Sequence, residues 1–392
     1  MDFCGVICEF NPFHNGHLYF LSQVKKQTDS KIICLMSGNF VQRGEPAIED
    51  KYNRAKKAIQ AGAHAVYELP TIFACSNAEN FAYGAIKILK ALNVKQIAFG
   101  VTETDLETLQ KIAQIKFDNS VEFQNCFKNE IENGINYNTA LKRAIAKQID
   151  SPNISKILAC PNNILAIEYL TAILKLDAKI SPIAIERIDN GYYSQKENGK
   201  YLSASSIREK LNNGEDVARF LPEFAGLNSF FDSNCMNKFQ SIMLYKLRST
   251  KAEELSKCYD YTEGIEYRIK RISDQYSNIN DIVAGVTTPR FKSSRVNKLL
   301  LYPLLEITKT KVKMAAKTKP AIKLLAINKK EKQLLSTYNK KQISIIVTND
   351  DYNSLTISQK KIADIDLAAS NLYGVITNKQ NNNDKKTGAL FI

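Results

Sequence analysis

An α/β fold is predicted for this 392-residue chain: a Rossmann-like domain with a parallel sheet over residues 1–215, then a mostly helical basic region and a small mixed C-terminal part. Three observations predict it. Apolar runs of strand length alternate with amphipathic runs of helix length up to about residue 215, and the alternation then stops. The first strand pattern enters a Pro/Asn/Gly turn and then a helix, in the stretch from Gly5 to Phe20. The net charge of +14 is uneven: residues 290–341 hold fifteen Lys/Arg against two acids, Glu306 and Glu331.

The elements follow in order. Residues 3–8 form an apolar strand pattern, and Leu18, Leu21 and Val24 recur at helical spacing after His17. Residues 31–36 read as the second strand and 37–47 as a loop rich in Gly, Asn and Arg, with Gln42 and Arg43 placed to meet substrate or phosphate. A helix is expected over 48–61 with Lys51, Arg54, Lys56 and Lys57 as its polar members, then a strand over 65–69. Ser76 or Asn77 caps the next helix, with Glu79 in its first turn. Residues 96–99 form the fourth strand, ending at Gly100, where a glycine lets backbone approach a ligand.

Several short helices are expected over 106–150, and Pro161-Asn162-Asn163 opens an amphipathic helix with a side-chain amide at its cap. Residues 179–186 are the fifth strand, and Ser203-Ala-Ser-Ser-Ile-Arg208 starts a helix with hydroxyls and a guanidinium. From 237 to 319 the pattern is helical. Short strands are expected beyond 323, at 343–347 and 373–376, and a strand-like segment at 388–392 follows a polar stretch.

Chemistry concentrates in the first loop. The chain has three histidines, and His14 and His17 share a His-x-Gly-His arrangement around Gly16. Gly16 permits close backbone approach, the following helix offers N–H groups and a positive dipole end, and two imidazoles add donors near neutral pH. An anion, and a phosphate in particular, suits such a loop. His64, at a helix–strand junction, reads as structural.

The hydrophobic share of 44% and charged share of 24% are those of a globular protein. No apolar run reaches membrane-spanning length and no basic leader precedes the first strand, so a cytoplasmic protein with no membrane partner is expected. Eight cysteines form no Cys-x-x-Cys pair and sit mostly in apolar patterns, so no metal site is assigned and reduced core thiols are expected. The concentrated positive field attracts polyanions, although a solvated basic surface would carry the same residues.

Glu9-Phe-Asn-Pro-Phe-His-Asn-Gly-His17, followed by Ser37-Gly-Asn-Phe-Val-Gln-Arg-Gly-Glu-Pro46, resembles the class I nucleotidyltransferase superfamily, and within it the tRNA(Met) cytidine acetate ligases. The resemblance covers most of the N-terminal half and extends loosely into the C-terminal third. It implies a ligase that activates acetate with ATP as acetyl-adenylate and transfers the acetyl group to the wobble cytidine of elongator tRNA(Met). Mg²⁺ is implied by ATP. The resemblance makes His14 and His17 catalytic and places Ile7, Cys8, Glu9, Phe10, Asn11, Pro12, Phe13, Asn15, Gly16, Leu18, Tyr19 and Phe20 with them at the ATP. It adds Gly100, Asn162, Arg187 and Ile188 to that site, and Ser205, Ser206 and Arg208 at the phosphates. Capping alone would equally account for Asn162. The family's Gly-Ser-Glu is here Gly100-Val-Thr-Glu103, which leaves Gly100 in place without the family's serine beside it.

On the same reading residues 1–215 are the catalytic, ATP-binding domain and 216–392 the tRNA-binding region, with Arg290, Lys292, Arg295, Lys309, Lys311, Lys313 and Lys317 as the candidate tRNA contacts. Two other functions fit parts of the pattern: an adenylyltransferase making a coenzyme or dinucleotide precursor, and a non-catalytic tRNA-binding protein. The oligomeric state is left open.

Overall fold

The computed structural model describes residues 2–102, 105–135, 137–149, 154–188, 199–227, 232–378 and 384–392. Its first half reads β1 (Phe3–Cys8), α1 (Asn15–Gln27), β2 (Lys31–Ser37), α2 (Lys51–Gln60), β3 (Ala65–Leu69), α3 (Thr71–Ala74), α4 (Ala78–Ala91) and β4 (Gln96–Val101). There follow α5 (Leu106–Asp118), α6 (Val121–Glu132), α7 (Tyr137–Ala146), α8 (Ile154–Ala159), α9 (Pro161–Lys175), β5 (Ser181–Glu186) and α10 (Ala204–Asn212). The second half holds α11 (Ser233–Ser249), α12 (Ala252–Leu255), α13 (Ile265–Gln275), α14 (Ile279–Val286), α15 (Ser293–Leu305) and α16 (Lys309–Lys317). It closes with β6 (Ala321–Ile327), α17 (Leu334–Thr337), β7 (Ser344–Ile346), α18 (Asn349–Asn353), α19 (Ile357–Ile376) and β8 (Leu390–Phe391).

The strands form one sheet in the order β5-β4-β1-β2-β3-β6-β7, with β8 pairing β6 beside that path. The five N-terminal strands are parallel, and β6 joins β3 antiparallel. Two of the segments expected as strands near the C-terminus, 343–347 and 388–392, hold β7 and β8 and extend the N-terminal sheet through β6.

Side-chain alternation divides the core between the sheet's two faces. Ile32, Cys34 and Met36 pack with Leu21 and Val24 of α1 and Tyr52, Ala55 and Ala58 of α2. Ile33 and Leu35 face the other way, into a core shared with α4, α9 and the helices beyond residue 232. Because β1 lies between β2 and β4, the chain reverses direction across the sheet there, and the carboxyl ends of β1 and β4 flank the crevice where open α/β sheets bind ligands.

Two local expectations are corrected. Residues 373–376 are the last turn of α19, a 20-residue helix opened by a Thr356/Gln359 capping box, and not a strand. The N-cap of α9 is Cys160, without a side-chain bond, and Pro161 occupies the first turn. The amide of Asn163 works instead between elements: its Oδ1 accepts from the Thr102 N–H at 3.1 Å and its Nδ2 donates to the Ile157 carbonyl at 3.3 Å. Asn77, not Ser76, caps α4. His64 accepts the Ile32 N–H through Nδ1 at 3.0 Å, a contact that serves the fold. All eight cysteines are free thiols.

A charged cluster is buried beneath the C-terminal edge of β3. Lys51 Nζ donates to Glu68 at 2.6 Å and also to Asp384, while Asp366 Oδ1 accepts the Thr71 N–H at 2.6 Å. Burial, reinforced by the Glu68 charge, pushes the Asp366 carboxyl up to about 8.

Candidate active site

The loop after β1 turns on Phe10, which has a left-handed φ of 48°, an uncommon state for a residue with a side chain. Its ring holds it there, 1% exposed and packed edge-on to Phe13 at 4.9 Å. Asn11 follows, with a cis bond to Pro12. The Asn11 side chain accepts the Ile48 N–H at 2.8 Å, and Asn15 donates to the carbonyls of Lys200 at 3.0 Å and Arg219 at 3.1 Å. Both amides thus serve to dock the loop on its neighbours.

His14 is the N-cap of α1, and the helix start is closed by its own capping box. Gly16 N–H donates to His14 Nδ1 at 3.0 Å, and His14 N–H approaches His17 Nδ1 at 3.4 Å. The expectation that this terminus offers free N–H groups is therefore met only in part, because the histidines themselves satisfy its first donors. A Cβ on residue 16 would lie 2.8 Å from His14 Cε1, so glycine is required for the folded-back imidazole as well as for any ligand.

The two imidazoles lie 3.8 Å apart between centroids, and Phe10 flanks His17 at 5.0 Å. Burial, with the His14 and Arg187 charges adding to it, holds His17 well below its usual value of 6.5, so it is neutral at pH 7. The sequence left the charge state of these rings open; packing settles it for His17.

Around this loop stand its partners. Ile7 packs into the core with α4 and α9, and Leu18 and Phe20 pack on the opposite face of the sheet. Tyr19 meets Tyr201 edge-on at 6.3 Å. Burial pushes the Cys8 thiol up, which suits a packing residue and not a nucleophile. Glu9 Oε1 accepts the Gln42 N–H at 2.8 Å, joining the loops after β1 and β2, and burial raises its carboxyl against the pull of that bond and of Arg208.

The start of α10 comes to the histidine loop. Ser203 caps α10, accepting the Ser206 N–H at 3.2 Å, and its hydroxyl lies 3.0 Å from that of Ser205 and 2.9 Å from that of Ser206. From the next turn, Arg208 Nη1 donates to the Asn11 carbonyl at 2.7 Å. Gly100, the last residue but one of β4, is in contact with Arg187, whose Cγ would be 3.1 Å from a Cβ there. Ile188 is buried beside it. Asn162 lies in the first turn of α9, one residue from the amide that bonds to the end of β4. Glu103 and residues 189–192 lie outside the described residues.

A family model described as HIGH nucleotidyl transferase matches residues 1–388. A tRNA(Met) cytidine acetate ligase of Thermoanaerobacter sp. strain X514 is 37% identical over 383 residues, 95% of each chain. This chain belongs to that family. The ligase of Acetivibrio thermocellus is 34% identical over 392 residues, covering 95% of this chain and 94% of the relative. Crystal structures of Thermotoga maritima TmcAL match over the full length of both chains at 28% identity, the apo form with a TM-score of 0.90 and one bound with alpha-thio ATP with 0.89.

The basic residues singled out for tRNA divide in two. Arg295 is held by Asp260 through Nε at 2.7 Å and Nη2 at 2.8 Å, and lies over the Phe291 ring at 4.3 Å. Arg290 meets Glu263 at 3.0 Å and Lys311 meets Glu306 at 3.4 Å. Lys292, Lys309, Lys313 and Lys317 are exposed and have no ion-pair partner among the described residues. The last three recur every fourth residue on α16 and so form one stripe. Lys298 and Lys323 are partly withdrawn from the surface, donating to the carbonyls of Ser76 at 3.2 Å and of Asp384 respectively.

Sequence reasoning placed Arg54 only as a polar helix member, yet it is fully buried beside the loops just described. No local signal distinguishes it from Lys56 two residues on.

Proposed function

We propose that this chain is an ATP-dependent ligase that acetylates the wobble cytidine of elongator tRNA(Met), with residues 1–215 carrying the chemistry and 216–392 holding the RNA. The observation that carries the reading is the meeting of the His14–His17 loop with the Ser/Arg start of α10, through Arg208 and the Asn11 carbonyl, at the switch point of the sheet.

In the first step an acetate oxygen attacks the α-phosphorus of ATP, forming acetyl-adenylate as the bond to pyrophosphate breaks. Neutral His17, with His14 and Arg208, would stabilise the charge that develops on the phosphates, an electrostatic role that needs no covalent enzyme intermediate. Ser205 and Ser206 would add hydroxyl donors at the pyrophosphate end. In the second step the cytidine N4 attacks the acetyl carbonyl, AMP leaves, and N4 gives up a proton.

Mg²⁺ would enter with the triphosphate and neutralise part of its charge. Among the described residues no group of three or more His, Cys, Asp or Glu is placed to hold a metal. Among those residues, too, no helix is long and apolar enough to cross a membrane.

The test is incubation with ATP, labelled acetate and total tRNA. Acetylcytidine in tRNA(Met), with acetate-dependent exchange of pyrophosphate into ATP, is the expected result. Transfer of AMP to a coenzyme precursor in place of acetylation, or acetylation from acetyl-CoA without ATP, would overturn it.

A further inference from the structure

Arg54 sits in the first half of α2 with none of its surface exposed. Its Nε donates to the Glu49 carbonyl at 2.9 Å, and its Nη1 donates to the carbonyls of Glu9 at 2.6 Å and Ser37 at 3.1 Å. Its Nη2 donates to the Gly38 carbonyl. Four of the five guanidinium donors are thereby spent on backbone from three segments. One is the end of β1 entering the histidine loop, one the end of β2 entering the Gln42–Arg43 loop, and one the approach to α2 itself.

The carboxyl ends of parallel strands present carbonyl oxygens, and here they do so at the edge where a polyphosphate is to dock. A guanidinium carries five donors in a fixed planar fork and here serves four carbonyls at once, one more than the three donors of a lysine ammonium could. The Glu9 side chain then passes the constraint on, because its carboxylate holds the Gln42 N–H at 2.8 Å. Glu9 is thus gripped by Arg54 through its backbone while its side chain grips the neighbouring loop.

We infer that Arg54 is a positioning residue for adenylate formation: its guanidinium sets the loop after β1 against the loop after β2, so that the histidines and the Gln42–Arg43 segment face one ligand. It contacts no reacting atom. The kinetic part of this inference rests on the ligase reading above; the structural part does not.

The experiment compares wild-type protein with Arg54→Lys, Arg54→Gln and Ile86→Ala, a core truncation at a fully buried site on α4. All are measured at a temperature where circular dichroism shows each fully folded. Amide hydrogen exchange is expected to quicken at least tenfold over residues 10–16 and 38–47 in either Arg54 variant and to stay unchanged there in Ile86→Ala. Acetate-dependent pyrophosphate exchange should lose at least thirtyfold in kcat in the Arg54 variants, with KM for ATP within threefold of wild type, because Arg54 has no exposed surface with which to meet the nucleotide. Loop exchange at the wild-type rate, or a kcat loss that Ile86→Ala matches, would overturn the assignment. Should wild-type protein show no acetate-dependent exchange at all, the ligase reading falls while hydrogen exchange still decides the role of Arg54.

Discussion

Replacing Lys309, Lys313 and Lys317 together by Gln isolates one exposed stripe of the basic segment, on α16, as a surface for RNA. These three side chains lie at i, i+4 and i+8 on α16, spanning about 12 Å of helix at 1.5 Å per residue. All are exposed and without an ion-pair partner among the described residues. Each phosphate contact that is lost removes the release of condensed counterions, worth about 0.7–0.9 in the slope of log K against log salt. Three contacts therefore remove about 2–3 from that slope. Between 50 and 200 mM salt, a change of that size means wild-type affinity falls by about 20–40-fold more than that of the triple variant. Arg295→Gln is the internal comparison: its guanidinium is already bidentate to Asp260, so it should leave the slope unchanged. The measurement is tRNA binding by fluorescence anisotropy over a salt series, alongside tRNA-independent pyrophosphate exchange, which the triple variant should retain. A triple variant with the wild-type slope would refute the reasoning, and so would one that loses adenylate formation while binding tRNA normally.

Three further outcomes follow from the site and its surroundings. His17→Ala removes one preorganised donor, worth about 2.7–4 kcal/mol in comparable sites, so pyrophosphate exchange should fall two to three orders of magnitude with the fold intact by circular dichroism; near-normal turnover would end that role. Asp366 has its folded pKa raised to about 8 from 3.8, so its contribution to stability is fully present below the unfolded value and is lost as pH rises through 8. Asp366→Asn keeps the acceptor for the Thr71 N–H, and its melting temperature should decline less than that of wild type between pH 6 and 9; an equal decline in both would rule out Asp366 as the source. Asn163→Leu strands the Thr102 N–H, while the Ile157 carbonyl keeps the Cys160 N–H, and chemical denaturation should register a loss of about 1–3 kcal/mol for the one unsatisfied group.

What was legible in the sequence is what local chemistry determines. Residues 65–69 were bounded correctly because a short apolar strand between a helix end and Pro70 has one reading, and both faces of β2 are apolar because both are packed. Residues 373–376 were misread because Tyr-Gly-Val-Ile carries strand propensity wherever it stands, and only the distant Thr356 capping box shows that a helix is still running. The bridging role of Asn163 carries no local signal because its partners, Thr102 and Ile157, are brought to it by the sheet and by α8. Arg54 was invisible for the same reason at larger scale: its four carbonyls belong to loops that meet only once β1, β2 and α2 are assembled. The basic segment makes the point for function. Counting charge along residues 290–341 included Arg290 and Arg295 but not Glu263 and Asp260, which precede the segment and pair with them in space. A field acts through the charges that remain after such pairing, so the surface offered to RNA is narrower than the count implies, and the stripe on α16 is where a test of it has the most to show.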